Sequence, residues 1–442
     1  MTDSHIEEIR RRADWLAFCT WTSVLTAILF VAEHFSPFSS LSPEDWSADL
    51  FVSGQDGNMY RRVAYVLLGG IGLWFLRCAP QKRANWYRPL GASVFALLTW
   101  SALSIWWSDE PLVAARRLIV LILLLIAAFG FARRWPNRVL EFCVLCGAIH
   151  LSIGVVAEIA HNTFSPFDPS YRFAGTLHWN NQGFACAILA LAALAGGRTA
   201  QRWRWLFRVA VVYACTFLIL TKSRTSLIAF AVGLVLYLWL TLPNRPKVIA
   251  ACVSSVLILA LFSFGGSAAW SPVYEALSRG GEGVDTFNGR VPLWNECLAY
   301  ANQRPVEGYG FDTFWTAKRI DAVSDEVHWG VAAAHSGYID LLLMGGIVSL
   351  LLHTIALALT LWRGVRVYVR HKEPVFAFAA SLVAMYFVSG IFESTLIVRV
   401  SSVSFYLAMC LALLCISGDG TQKHTAIRKI TPEERVPIVA GT

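Results

Sequence analysis

The chain has 442 residues, of which 56% are hydrophobic and only 15% charged, with 18 Trp and a formal net charge of +8, and its mean hydropathy is +0.53. Soluble domains carry about 25% charged residues, so the composition excludes a water-soluble globular protein and points to an all-α polytopic membrane protein. The basic excess sits mainly in short connections, which reads as a topological signal toward anionic membrane lipids and argues against nucleic acid as a partner.

A helix spans a bilayer with about 20 mainly apolar residues. Such stretches are predicted at 15–33, 61–77, 89–107, 112–132, 139–160, 182–197, 205–221, 225–242, 247–265, 336–362, 374–393 and 396–416, several of them short or interrupted. This gives about twelve transmembrane helices: nine over 1–265, a long loop at 266–335, three over 336–416, and a polar tail at 417–442. The first stretch is not read as a cleaved signal peptide, because acidic sequence follows it and the apolar stretches continue.

Orientation follows from the loops. One side carries Arg10, Arg11 and Arg12, then Arg77, Lys82, Arg83 and Arg88, then Arg133, Arg134 and Arg138, then Arg198, Arg202, Arg204 and Arg208, then Arg245 and Lys247, then Arg363, Arg366, Arg370 and Lys372, and finally Lys423, Arg428 and Lys429. The positive-inside rule makes that side, and both termini, cytoplasmic. The connection at 34–60 holds Glu44, Asp45, Asp49 and Asp56, and the third holds Asp109 and Glu110; both face out. Against this pattern, Arg116, Arg117, Arg172, Lys222, Arg224 and Arg290 fall on the outer, basic-poor side. Cations there call for a function, and a lipid-linked phosphate or diphosphate is the fitting partner. Salt bridges to loop carboxylates or contacts with lipid headgroups are the plainer alternatives.

Cysteine offers little chemistry. Nine of the ten lie in or at the ends of apolar helices, Cys297 alone is in an outer loop, and Cys143 and Cys146 read as packing residues despite their redox-like spacing.

The outer loop at 161–181 and the long loop at 266–335 hold the remaining polar residues. Trp270, Tyr274, Phe287, Trp294, Tyr300, Tyr309, Phe311, Phe314, Trp315 and Trp329 are too many aromatics for a solvated tail. Residues 291–301 place Leu293, Cys297 and Tyr300 on one face of a short amphipathic helix. Gly281, Gly283, Gly308 and Gly310 lack the strand and helix of a nucleotide loop and read as turns. Trp106, Trp107 and Trp179 fit interface anchoring, whereas Trp294 and Trp315 lie inside the loop and, with Asn180, are candidates for saccharide contact. Glu393 is a membrane-level carboxylate whose expected partner is Arg399 or one of the outer arginines.

Several local sequences then occur in a fixed order. Arg172, Gly175 and Asn180-Asn181 come first, followed by Ser223-Arg224, Asn288-Gly289-Arg290 with Trp294, Arg304-Pro305-Val306-Glu307-Gly308-Tyr309-Gly310-Phe311, and His335-Ser336 with Gly346. In this order and topology, over about residues 95 to 400, the chain resembles the O-antigen ligase and O-antigen polymerase superfamily of bacterial envelope glycosyltransferases. The resemblance implies a glycosyltransferase C-like fold with a long periplasmic loop domain in the bacterial inner membrane. It implies an undecaprenyl diphosphate-linked O-antigen donor and, for a ligase, a lipid A-core oligosaccharide acceptor on the periplasmic side. O-antigen polymerase, or transfer of the same donor to protein, is the alternative in chemistry. An anionic lipid or solute transporter whose arginines select an anion is the alternative in class.

The residues can be argued for the same chemistry. Guanidinium forks hold phosphate oxygens bidentately, so Arg172, Arg224 and Arg290, with Lys222, Arg116 and Arg117 behind them, are candidates to neutralise a leaving diphosphate. His335 is the candidate general base for an acceptor hydroxyl, or a donor ligand, with Ser336 expected to cap the following helix. His178 and His328 are weaker candidates. With the arginines supplying charge and no Asp-x-Asp pair present, no cofactor and no metal are expected, although Asp312, Asp321, Asp325 and Glu326 lie in the loop.

Overall fold

The computed structural model describes residues 3–33, 59–79, 87–199, 203–264, 290–396 and 401–417. The acidic stretch at 34–58, the loop residues Trp270, Tyr274, Gly281, Gly283, Phe287, Asn288 and Gly289, the proposed Glu393 partner Arg399, and the tail from 418 lie outside the described residues.

Among the described residues the chain is all α-helical. The helices are α1 Asp3–Ala32, α2 Met59–Cys78, α3 Arg88–Leu103, α4 Pro111–Arg134, α5 Val139–Ala160, α6 Trp179–Thr199, α7 Arg204–Leu220, α8 Arg224–Thr241, α9 Arg245–Phe264, α10 Arg290–Gln303, α11 Ala317–Val327, α12 Gly337–His371, α13 Pro374–Phe392 and α14 Ser402–Ile416. Among the described residues helices fall within the twelve stretches expected to span, and eight of them, not twelve, are long and apolar enough to cross a membrane by length and composition. The chain is a multi-pass membrane protein. Its core is formed by α6, α13 and α14, most of whose residues are buried, while Phe95, Leu112, Val156 and Leu351 on other helices point outward. All-round apolar helices belong in a bundle interior.

Three charges expected in the connection after the tenth stretch lie in a helix instead. Because α12 runs on to His371, Arg363, Arg366 and Arg370 fall inside it, and Arg363 is fully buried. Its Nη2 donates to the Ser417 carbonyl at the end of α14, and its guanidinium lies 4.4 Å from the Tyr87 ring. A cation at a helix C-terminus satisfies free carbonyls and favours the dipole.

α12 is broken near its start. Gly345 and Gly346 leave helical geometry, with φ/ψ of −150°/25° and 63°/−164°. Irregular backbone at membrane depth must find partners within the protein, and the 305–310 loop supplies them. Tyr309 N–H donates to Leu343 O at 2.8 Å, Gly310 N–H to Met344 O at 3.0 Å, and Ile347 N–H to Pro305 O at 2.8 Å, while Trp100 Nε1–H donates to Gly345 O at 2.9 Å. Glycine is required on both sides of this junction. A Cβ on Gly308 would lie 2.7 Å from the backbone nitrogens of Gly345 and Gly346, and one on Gly346, at positive φ, would overlap the Val306 carbonyl. Gly346→Ala is therefore expected to cost stability well beyond the roughly 1–3 kcal/mol of backbone strain alone. A large drop in thermal unfolding temperature in detergent tests this; an unchanged temperature would contradict the junction.

Candidate active site

Helices α6, α8, α10 and α12 all begin at one end of the bundle, and α13 finishes there. Their ends are tied through one buried carboxylate. Glu393, the residue after α13, accepts from Arg290 Nη2 at 2.8 Å and from Asn180 Nδ2 at 2.7 Å through Oε1. His335 Nδ1 lies 3.8 Å from its Oε2. The Glu393 carbonyl accepts from Gly337 N–H at 3.1 Å, and Arg290 Nη1 reaches the Phe392 carbonyl at 2.6 Å. Asn180 in turn accepts at its carbonyl from Ser226 Oγ at 2.9 Å, and Ser226 Oγ also pairs with Ser223 Oγ at 2.9 Å. The Ser223-Arg224, Arg290 and His335 sequences, far apart in the chain, thus meet around Glu393 and Asn180. Four helix N-termini with these cations make an electropositive end of the bundle.

Electrostatics agree with that arrangement. The buried Glu393 carboxylate faces the Arg290 guanidinium and the His335 ring. Burial, with Arg172 close by, pushes the Lys222 ammonium down against the attraction of Asp168.

Arg172 sits on a loop organised by Glu158, a fully buried residue near the end of α5. The Glu158 carboxylate accepts from Ala174 N–H at 2.9 Å, Gly175 N–H at 2.7 Å and the Tyr171 hydroxyl. This leaves Arg172 Nε donating to Thr221 O at 3.3 Å, with the guanidinium 4.2 Å from the Trp179 ring. Lys222, at positive φ, donates to the Pro169 carbonyl. Arg172, Lys222 and Arg224 therefore flank the α7–α8 turn beside the hub. On α4, Arg117 pairs with Asp312, whose carboxylate lies 3.4 Å away.

His335 occupies the left-handed region at φ 48° and keeps its side chain 30% exposed. Backbone in that region is uncommon for a residue other than glycine and concentrates at functional positions. Trp294 Nε1–H donates to Ala334 O at 3.0 Å, and Asp340 Oδ1 accepts from Ala334 N–H at 3.3 Å and from Trp315 Nε1–H at 3.1 Å. The indole N–H groups of Trp294 and Trp315 are thereby committed to holding the His335 segment. Ser336 is the N-cap residue of α12, but its hydroxyl turns to Gly390 O at 3.4 Å instead of capping; Gly337 N–H already has the Glu393 carbonyl, so the cap is supplied by backbone. Two tryptophans expected as interface anchors also join the architecture, Trp107 through Nε1–H to Glu307 O at 3.0 Å and Trp179 under Arg172. The His178 ring lies tilted against Trp179, with centroids 4.3 Å apart, and His328 ends α11.

Glu158, Asp340 and the α11 helix are absent from the sequence-based account. Glu158 and Asp340 are buried acidic residues within apolar helices, and that is the signal that marks them.

Residues 209–354 match a family model described as O-Antigen ligase. That span contains Lys222, Arg224, Arg290, His335 and the α12 break. The chain is also similar to the exopolysaccharide production protein ExoQ of Rhizobium meliloti (strain 1021), 26% identical over 313 residues that make up 66% of this chain and 69% of that protein.

Proposed function

Since the chain belongs to the O-antigen ligase and polymerase superfamily of membrane proteins that build envelope polysaccharides, we propose that it is an O-antigen ligase. In this reading it is an inner-membrane protein of about twelve spans with its site facing the periplasm. It transfers O-antigen from undecaprenyl diphosphate to lipid A-core. The observation that carries the reading is the meeting of Arg290, His335 and the Ser223-Arg224 turn around buried Glu393, where four helix N-termini point.

The acceptor hydroxyl oxygen attacks the anomeric carbon, and the carbon–oxygen bond to the diphosphate breaks with its electron pair leaving on the phosphate. Arg224, Arg290 and Arg172 neutralise that developing charge, aided by Lys222. The Glu393 carboxylate beside His335 Nδ1 favours the tautomer protonated there, so Nε2 takes the hydroxyl proton. A single displacement inverts the anomeric centre.

A second reading, polymerisation of the same type of lipid-linked saccharide, draws on ExoQ, whose name concerns exopolysaccharide production. Both readings place the leaving-group charge on arginines and not on a metal ion. Purified protein supplied with lipid-linked polymer and lipid A-core is expected to transfer glycan at a nearly unchanged rate in excess EDTA. Loss of activity that magnesium or manganese restores would contradict that assignment. A wild-type protein that moves lipid across vesicles without forming a glycosidic product would support the transporter class instead.

A further inference from the structure

Away from the Glu393 hub, a cleft of about 610 Å³ opens between the α3–α4 connection and α10–α11, lined by Asp109, Glu110, Tyr300, Thr316, Lys318 and Ala322 among others. Its size lies in the range of about 300–1,000 Å³ typical of small-molecule sites. We propose that this cleft binds an oligosaccharide, the glycan end of the acceptor; the assignment of an acceptor rests on the glycosyltransferase reading above.

The walls are fixed before any ligand arrives. Arg319 bonds the Asp109 carboxylate and donates to Phe314 O at 3.1 Å, and Arg304 lies 3.7 Å from Asp109. Both guanidinium groups also pack on the Tyr309 ring, Arg304 at 4.8 Å and Arg319 at 4.3 Å from its centre. Ser108 Oγ meets Thr313 Oγ1 at 2.8 Å, and Trp107 ties to the Glu307 carbonyl at 3.0 Å. A pre-formed site spares the ligand the cost of ordering it.

The lining chemistry selects the ligand class. Asp109 is already neutralised by two arginines, so the cleft has no large unbalanced charge to draw a polyanion or a metal ion. Its apolar lining comes from the Tyr300 ring, Ala317, Ala322 and side-chain methylenes, a surface on which the C–H face of a sugar can rest. What remains is hydroxyl-directed: carboxylate oxygens on Asp109 and Glu110 that accept hydroxyl protons, an ammonium on Lys318 and a hydroxyl on Thr316 that donate, and a half-buried aromatic ring for a sugar face. The cleft also connects to the hub. Trp315, next to Thr316, bonds Asp340, and Asp340 accepts from Ser394, next to Glu393.

Isothermal titration calorimetry on the full chain in detergent tests the cleft with two soluble probes. They are the core oligosaccharide released from the host strain's lipopolysaccharide, and the oligosaccharide of one repeat unit. Ala322→Trp fills the cleft from an exposed position on α11. Thr316→Ala with Lys318→Ala removes donors without removing a cap, because the Thr316 side chain makes no capping bond. One of the probes is expected to bind the wild type and to lose affinity by at least about tenfold in both variants at unchanged thermal stability. Binding of the core oligosaccharide assigns the acceptor of a ligase, and binding of the repeat unit that of a polymerase. No binding of either probe, or equal affinity in wild type and both variants, overturns the proposal. A wild type that binds but transfers nothing counts against the catalytic reading and not against the cleft.

Discussion

Arg290→Ala is expected to lower glycan transfer by about 10²–10³-fold, the loss seen when one preorganised donor to a developing charge is removed, and Arg224→Ala is expected to do the same. The two differ in structural cost. Arg290 is bonded to buried Glu393 and to the Phe392 carbonyl, and removing one partner of a buried pair costs about 3–5 kcal/mol, so Arg290→Ala should also unfold at lower temperature. Arg290→Lys separates the two effects: an ammonium can still face Glu393, but a point charge cannot span two phosphate oxygens. The lysine variants at 290 and 224 should therefore approach wild-type stability yet transfer poorly. Wild-type rates in both alanine variants would remove the arginine clamp from the mechanism.

The second large effect lies at His335. With a proton-accepting role, His335→Ala should cut the rate by about 10²–10⁴-fold while donor affinity holds. With a donor-gripping role, His335→Ala weakens donor binding and His335→Arg retains activity. Glu393→Gln, which keeps an acceptor but loses the charge, should reduce the rate through His335 and Arg290 without touching substrate; donor affinity and rate measured together check this.

Helix positions were legible in the sequence because about twenty apolar residues have few other uses. The break in α12 was not. Nothing in Gly345-Gly346 states that a loop some forty residues earlier fills the gap, since that pairing is a property of three-dimensional closure. The site shows the same division. Arg224, Arg290 and His335 stood out as polar residues at membrane boundaries, and Glu393 as a carboxylate needing a cation. That one carboxylate serves both Arg290 and Asn180, with His335 beside it, could not be read from spacing. The Asp312 partner of Arg117 could not be read from spacing either. Trp294 and Trp315 look like sugar platforms by composition, and the contacts add that their indole N–H groups are hydrogen-bonded inside the fold.

Lipopolysaccharide and lipid-linked glycans from a strain lacking this chain, complemented in turn by wild type and by Arg224→Ala, test the central claim most directly. The account predicts bare lipid A-core with accumulated lipid-linked polymer in the deletion strain, full-length O-antigen restored by the wild type, and no restoration by Arg224→Ala. Core carrying a single repeat unit, or unchanged lipopolysaccharide with loss of a separate exopolysaccharide, would contradict the ligase and establish a polymerase in its place.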